Sequence, residues 1–156
     1  MSDGGPVASS PLLVGLMEED LEALFAFGER RFYKVGDVVV KEGSESDCLY
    51  ILVSGALEVL RSSEGDPVIL ATMTKAGSFF GEMSLVDIMP RSADILAISD
   101  SEVLAFPKRE LAGFFVQSPR VQMTMILNIS RNLSLCLRTA DARIVQLSSD
   151  LARAGR

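Results

Sequence analysis

Glu82 and Arg91 are the two charged residues whose setting in the sequence points to chemistry. They lie in the segment Phe79-Phe80-Gly81-Glu82-Met83-Ser84-Leu85-Val86-Asp87-Ile88-Met89-Pro90-Arg91-Ser92-Ala93, which interrupts a run of short apolar stretches. An arginine presents two parallel donors that match two phosphate oxygens, and the rigid Pro90 before it fixes its approach. An ionised carboxylate only accepts, so Glu82 suits a sugar hydroxyl and would repel a phosphate placed beside it. Gly81 lets the backbone come close to a ligand, and one or two helical turns from Glu82 to Val86 would point free N–H groups outward, where they attract an anion. One ligand carrying both a sugar hydroxyl and a singly charged phosphate satisfies both residues. The competing reading is a structural ion pair in a domain that holds no ligand.

Other chemistries find little support. The chain of 156 residues contains no histidine, which removes the commonest general base and the commonest metal ligand, so neither catalysis nor a metal is expected. A histidine-rich jelly-roll enzyme is disfavoured on the same ground. Cys48 and Cys136 are far apart and form no CxxC pair, as expected of reduced thiols in a cytoplasmic protein. A formal charge of −6 with no dense Lys/Arg cluster argues against direct binding of nucleic acid. The longest apolar runs, such as Tyr50 to Val53, fall far short of the roughly 18 residues of a membrane span.

These residues need a scaffold. Residues 1–10, rich in Gly, Ser and Pro and without a secretory signal pattern, read as a mobile tail. From Pro11 to about Gly28 the apolar spacing and the early acidic residues predict a short amphipathic helix or helix pair. Short Val-, Ile-, Leu- and Tyr-rich runs then alternate with glycines, predicting strands near Asp37–Lys41, Cys48–Val53, Ala56–Arg61, Val68–Met73, Asp94–Ile98 and Glu102–Pro107. From Lys108 the helical period returns, and Pro119 opens a second helix that runs to about Arg153. In it Met123, Ser130, Leu137, Ile144 and Leu151 repeat every seven residues, interleaved with Ile126, Leu133, Ala140 and Leu147. Such a seam buries itself in a parallel two-stranded coiled coil, hence a homodimer, or folds back on the strands.

The fold class is mainly β with flanking α: an antiparallel β-barrel or jelly roll with an N-terminal helix, a short helix after Gly81 and a long C-terminal helix. Residues 11–118 form the β domain with its N-terminal helix, and residues 119–156 the long helix.

The segment from Phe79 to Ala93, with Gly36-Asp37-Val38-Val39, Gly43, Asp47, Tyr50 and Gly55 in order before it, resembles the cyclic nucleotide-binding domain family over Phe25 to about Ser118. That family includes regulatory subunits of cAMP-dependent kinase, cyclic nucleotide-gated channels and bacterial catabolite activators. The resemblance implies a ligand, cAMP or cGMP, and no cofactor. Glu82 would accept from the ribose 2′-hydroxyl and Arg91 would clamp the phosphate. Phe80, Gly81 and the amides around Met83, Ser84, Ser92 and Ala93 would complete the cradle. Val59, Ala71 and Phe79 would line its apolar side, and the long helix would serve as lid and dimer element.

Counted without gaps, Cys136 falls where catabolite activators offer a threonine to the base. Asn132, Cys136, Thr139 and Arg143 share one flank of the helix and would face that base, although packing alone also accounts for Cys136. Two positions depart from the family pattern: Ile88 replaces a frequent glycine and Ser84 a frequent alanine. Ser92 accompanies cGMP in eukaryotic relatives and cAMP in catabolite activators, so the base preference stays open. The expected function is a non-enzymatic sensor that passes a conformational change through its C-terminal helix to a protein partner. The alternatives are a ligand-free dimeric interaction module and the sensor part of a transcription regulator, whose helix-turn-helix would have to follow Arg156.

Overall fold

The computed structural model describes residues 5–45, 47–86 and 89–156, and residues 1–4 of the expected tail lie outside them. Among the described residues, eight strands form two antiparallel four-stranded sheets. One sheet has the order β1 (Glu29–Tyr33), β8 (Ser101–Pro107), β3 (Cys48–Ser54), β6 (Phe79–Phe80). The other has the order β2 (Val38–Val40), β7 (Asp94–Ala97), β4 (Leu57–Arg61), β5 (Val68–Met73). Of the two expected forms, barrel or jelly roll, the sheets match the jelly-roll type: no ladder among the described residues joins them into a closed ring. Strands β1 and β6 were not expected from the sequence, β1 because its Glu-Arg-Arg-Phe-Tyr lacks a clean apolar alternation and β6 because it is two residues long.

Period-two alternation divides the core into two layers. Cys48, Tyr50 and Leu52 of β3 and Val103 and Ala105 of β8 meet Leu57, Ile95 and Ala97 between the sheets. The residues of opposite parity, Leu49, Ile51 and Phe106, pack under the helices with Leu24, Leu111, Phe115, Val121, Met125 and Ile129. Each such side chain contributes about 1.5–3 kcal/mol by leaving water. Strands β3 and β8 are covered on both faces, and β3 carries β6, from which the segment at Gly81 leaves.

The helices are α1 (Gly5–Ala8), α2 (Glu18–Ala26), α3 (Lys108–Gln117) and α4 (Pro119–Ala154), with a 3₁₀ turn at Pro11–Leu13. Among the described residues, no helix is long and apolar enough to cross a membrane. The expected tail is packed from Gly5 onward: Val7 is buried, and the buried Ser10 hydroxyl donates to the Gly77 carbonyl at 2.5 Å. Asn128 of α4 donates to the carbonyls of Leu12 and Val14, both at 2.8 Å. The N-terminal strap thus joins the root of α4 to the loop that leads into β6.

Candidate functional site

The segment after β6 is positioned from both ends. Upstream, Phe80 pairs with Tyr50 across the β3–β6 ladder, and their rings stack at 4.8 Å with planes 11° apart. Downstream, the backbone of Arg91 is fixed against the β2–β3 loop, where its N–H donates to Ser44 O at 2.9 Å and its carbonyl accepts from Gly43 N at 2.8 Å. Asp87 and Ile88, the latter a departure from the family pattern, lie outside the described residues, as does the side chain of Ser84.

Gly81 takes φ +79°, in the left-handed region, and caps a 3₁₀ turn at Glu82–Leu85. The expected helical turn is therefore present in its tighter form. A Cβ on residue 81 would lie 2.7 Å from both Cys48 O and Arg91 Nη1, so only glycine admits this approach.

Arg91 reaches back beneath this turn. Its side chain is 7% exposed, and its Nη2 donates to Cys48 O at 2.8 Å. Its guanidinium lies 5.7 Å from the centre of the Tyr50 ring, and the exposed Asp47 carboxylate stands 3.5 Å away. Among the described residues, this nearly buried charge is thus held by a neutral carbonyl, a ring face and the exposed Asp47 carboxylate.

Burial pushes the Glu82 carboxyl up, against the opposing pull of its own backbone N–H and of the Arg91 charge. Desolvation, then the charge of Glu82, pushes the Cys136 thiol up, which sets α4 close to the 3₁₀ turn. Burial likewise holds Tyr50 at about 12, so it stays a neutral phenol.

Of the residues singled out by sequence, the structure brings together Phe80, Gly81, Glu82, Arg91 and Cys136. Ala93 is buried at the start of β7, whereas Ser92 and Met83 are exposed at the rim. Val59 and Ala71 pair across β4 and β5, Val59 half-buried and Ala71 exposed. Phe79 stands apart from them, because its parity on β6 turns it into the layer under the helices.

On α4, Asn132 Nδ2 approaches Cys136 Sγ at 3.9 Å, and the Thr139 hydroxyl donates to the Leu135 carbonyl of its own helix. Arg143 on the same flank donates to Leu70 O of β5 at 3.0 Å. Sequence reasoning missed the Cys48 carbonyl as the guanidinium's anchor, since a backbone acceptor leaves no residue signature. It also missed the ring role of Tyr50, for which the aromatic pair Phe79-Phe80 was an indirect signal.

The sequence profile of the family described as "Cyclic nucleotide-binding domain" matches residues 30–118, more than half of the chain. The chain is 31% identical over 144 residues to the cyclic AMP receptor protein of Thermus thermophilus, covering 92% of this chain and 65% of that protein. It is 30% identical over 130 residues to human cGMP-dependent protein kinase 2, covering 80% of this chain and 17% of the kinase. The crystal structure of the Thermus thermophilus catabolite activator protein superposes with a TM-score of 0.74 at 31% identity, covering 89% of this chain and 63% of that one. The chain thus spans less than two thirds of the length of each of these relatives.

Proposed function

Because the chain belongs to the cyclic nucleotide-binding domain family, we propose that it binds cAMP or cGMP between β6, the 3₁₀ turn, Arg91 and α4, and acts as a non-enzymatic sensor. The observation that carries this reading is the buried Arg91 guanidinium, held by Cys48 O and the Tyr50 ring and lying close against Gly81, the residue that opens the turn at Glu82. A cyclic phosphate bears one charge, which Arg91 neutralises through two parallel donors. Glu82, only an acceptor when ionised, takes the ribose 2′-hydroxyl, and the amides of Met83, Ser84, Ser92 and Ala93 complete the cradle. Val59 and Ala71 offer apolar surface to the base, and Asn132, Cys136 and Thr139 cover it from α4.

Ligand binding draws α4 toward the cradle, and a protein partner reads the new position of the helix. The dimer belongs to the same reading: Leu137, Ile144, Leu147 and Leu151 are 59–73% exposed along one stripe of α4, as a two-stranded seam requires. Two free thiols suit a reducing, cytoplasmic setting. The exposed stripe also favours a second reading, a dimeric interaction module whose cradle has lost its ligand.

Calorimetric titration with cAMP, cGMP and a linear 5′-nucleotide separates the two. Saturable binding of a cyclic nucleotide, weakened by about 2 to 5 kcal/mol in Arg91→Ala, is the expected result and identifies the preferred base. A folded wild type that binds none of them at sub-millimolar concentration rejects the sensor reading in favour of the interaction module.

A further inference from the structure

Strand β5 is the edge of its sheet, and almost all of it is exposed. Its ladder with β4 is interrupted: Val59 faces Ala71 and the next pair is Leu60 with Ile69, so Leu70 has no residue opposite it. A bulge of this kind bends its strand and re-aims the groups of the extra residue. The carbonyl of that residue is the one that Arg143 Nη1 takes, at 3.0 Å.

The location matters more than the bond alone. From residue 134 onward every residue of α4 is exposed, so the packing that fixes the root of the helix has ended well before Arg143. Beyond that point the helix reaches β5 through Arg143, and Cys136 feels the charge of Glu82 in the 3₁₀ turn. These two residues are two helical turns apart, about 10 Å along the axis. Between them Thr139 lies on the same flank. On the sheet side, the bulge adjoins Ala71 and Val59, the apolar surface assigned to the base. The span from Cys136 to Arg143 therefore bridges the mouth of the proposed site from the 3₁₀ turn to the edge strand.

We propose that Arg143 and the bulge carbonyl of Leu70 form a clasp that holds α4 closed over the bound nucleotide and sets how long the nucleotide stays. The assignment rests on the proposed cyclic nucleotide site. Arg143 is a positioning residue and touches no ligand. Its guanidinium reaches an acceptor on a strand that is already held by its ladder with β4, so closing costs less than ordering two mobile surfaces. Loss of the clasp speeds exit, whereas entry, which occurs with the helix away from β5, is unaffected.

The test is stopped-flow release of a fluorescent cyclic nucleotide from the full chain as wild type, Arg143→Met and Arg143→Lys. Arg143→Met keeps an unbranched apolar stem at an exposed position and should fold normally. The expected result is release faster by about tenfold, the scale of one charge-assisted hydrogen bond, with the association rate within about twofold of wild type. Arg143→Lys, which keeps a single charged donor, should fall between the two. Unchanged release in Arg143→Met overturns the clasp, as does an equal loss in association rate.

Amide hydrogen exchange over residues 68–73 of the ligand-free proteins provides a readout that needs no nucleotide. Faster exchange in Arg143→Met shows the clasp even if the wild type binds no nucleotide, a result that would end the sensor reading and leave the contact as a structural fastening. Identical exchange in wild type and variant removes the clasp altogether.

Discussion

The guanidinium of Arg91 occupies the space that any side chain at position 81 would need: a Cβ built on Gly81 lies 2.7 Å from Arg91 Nη1, and equally close to the Cys48 carbonyl that holds the guanidinium. The flexible arginine tip can retreat, but the β3 backbone cannot. The two residues, ten positions apart in sequence, are thus one device, in which the missing side chain of one makes room for the buried charge of the other.

Gly81→Ala should therefore damage binding and folding together. Forcing a residue with a Cβ into φ +79° costs about 1–2 kcal/mol before any clash is counted. Displacement of Arg91 adds a loss of cyclic nucleotide affinity approaching that of Arg91→Ala. Urea denaturation and calorimetry read the two effects separately. A variant that loses stability but keeps full affinity would show that Arg91 does not depend on the gap at Gly81.

Glu82 gives a pH dependence of definite sign. Its carboxyl, ordinarily at 4.5, is pushed up by burial in the ligand-free protein. The folded state therefore holds this proton more tightly than the unfolded chain does. The associated stability is fully present below the ordinary value and is lost as pH rises through the raised one. Glu82→Gln does not titrate. In thermal melts of ligand-free protein, the melting temperature of Glu82→Gln minus that of wild type should grow as pH rises from about 4 to 7, while cyclic nucleotide affinity falls by about tenfold. A difference that is flat with pH would mean that burial does not perturb this carboxyl.

These effects also mark what was legible in the sequence. Gly81, Glu82 and Arg91 were visible because their chemistry resides in their side chains, or in the lack of one. The anchor that makes Arg91 useful was hidden, because the Cys48 carbonyl belongs to the backbone and its position depends on β3 pairing with β6 and β8. Residues 5–10 were misread for a related reason: Gly-Pro-Val-Ala-Ser-Ser has the composition of a tail, yet Ser10 is fixed by Gly77 O. The Asn128 bonds to Leu12 and Val14 join residues more than 110 positions apart, a distance over which local pattern carries no information. The strands with clean alternation were found, and the missed ones were a charged edge strand and a two-residue one. Arg143 was placed on the correct flank of α4 by its spacing, but its acceptor sits in a bulge that no residue type announces.

The last prediction concerns the far part of α4. Its buried residues, Val121, Met125, Asn128 and Ile129, all lie in its first third, and everything from residue 134 to the end is exposed. Most helical stability in proteins comes from packing of an apolar face, and here Leu137, Ile144, Leu147 and Leu151 would leave such a face uncovered. A second copy of the helix offers the same stripe in the same seven-residue register, so each buried Leu or Ile contributes about 1.5–3 kcal/mol to pairing. Sedimentation velocity at micromolar concentration should show a dimer for wild type and a monomer for the double variant Ile144→Glu, Leu147→Glu. The variant should also lose part of its helical circular dichroism, because the unpaired end frays. A wild type that sediments as a monomer with full helicity would show that α4 stands without a second copy, and the relay from cradle to partner would then have to run within one chain.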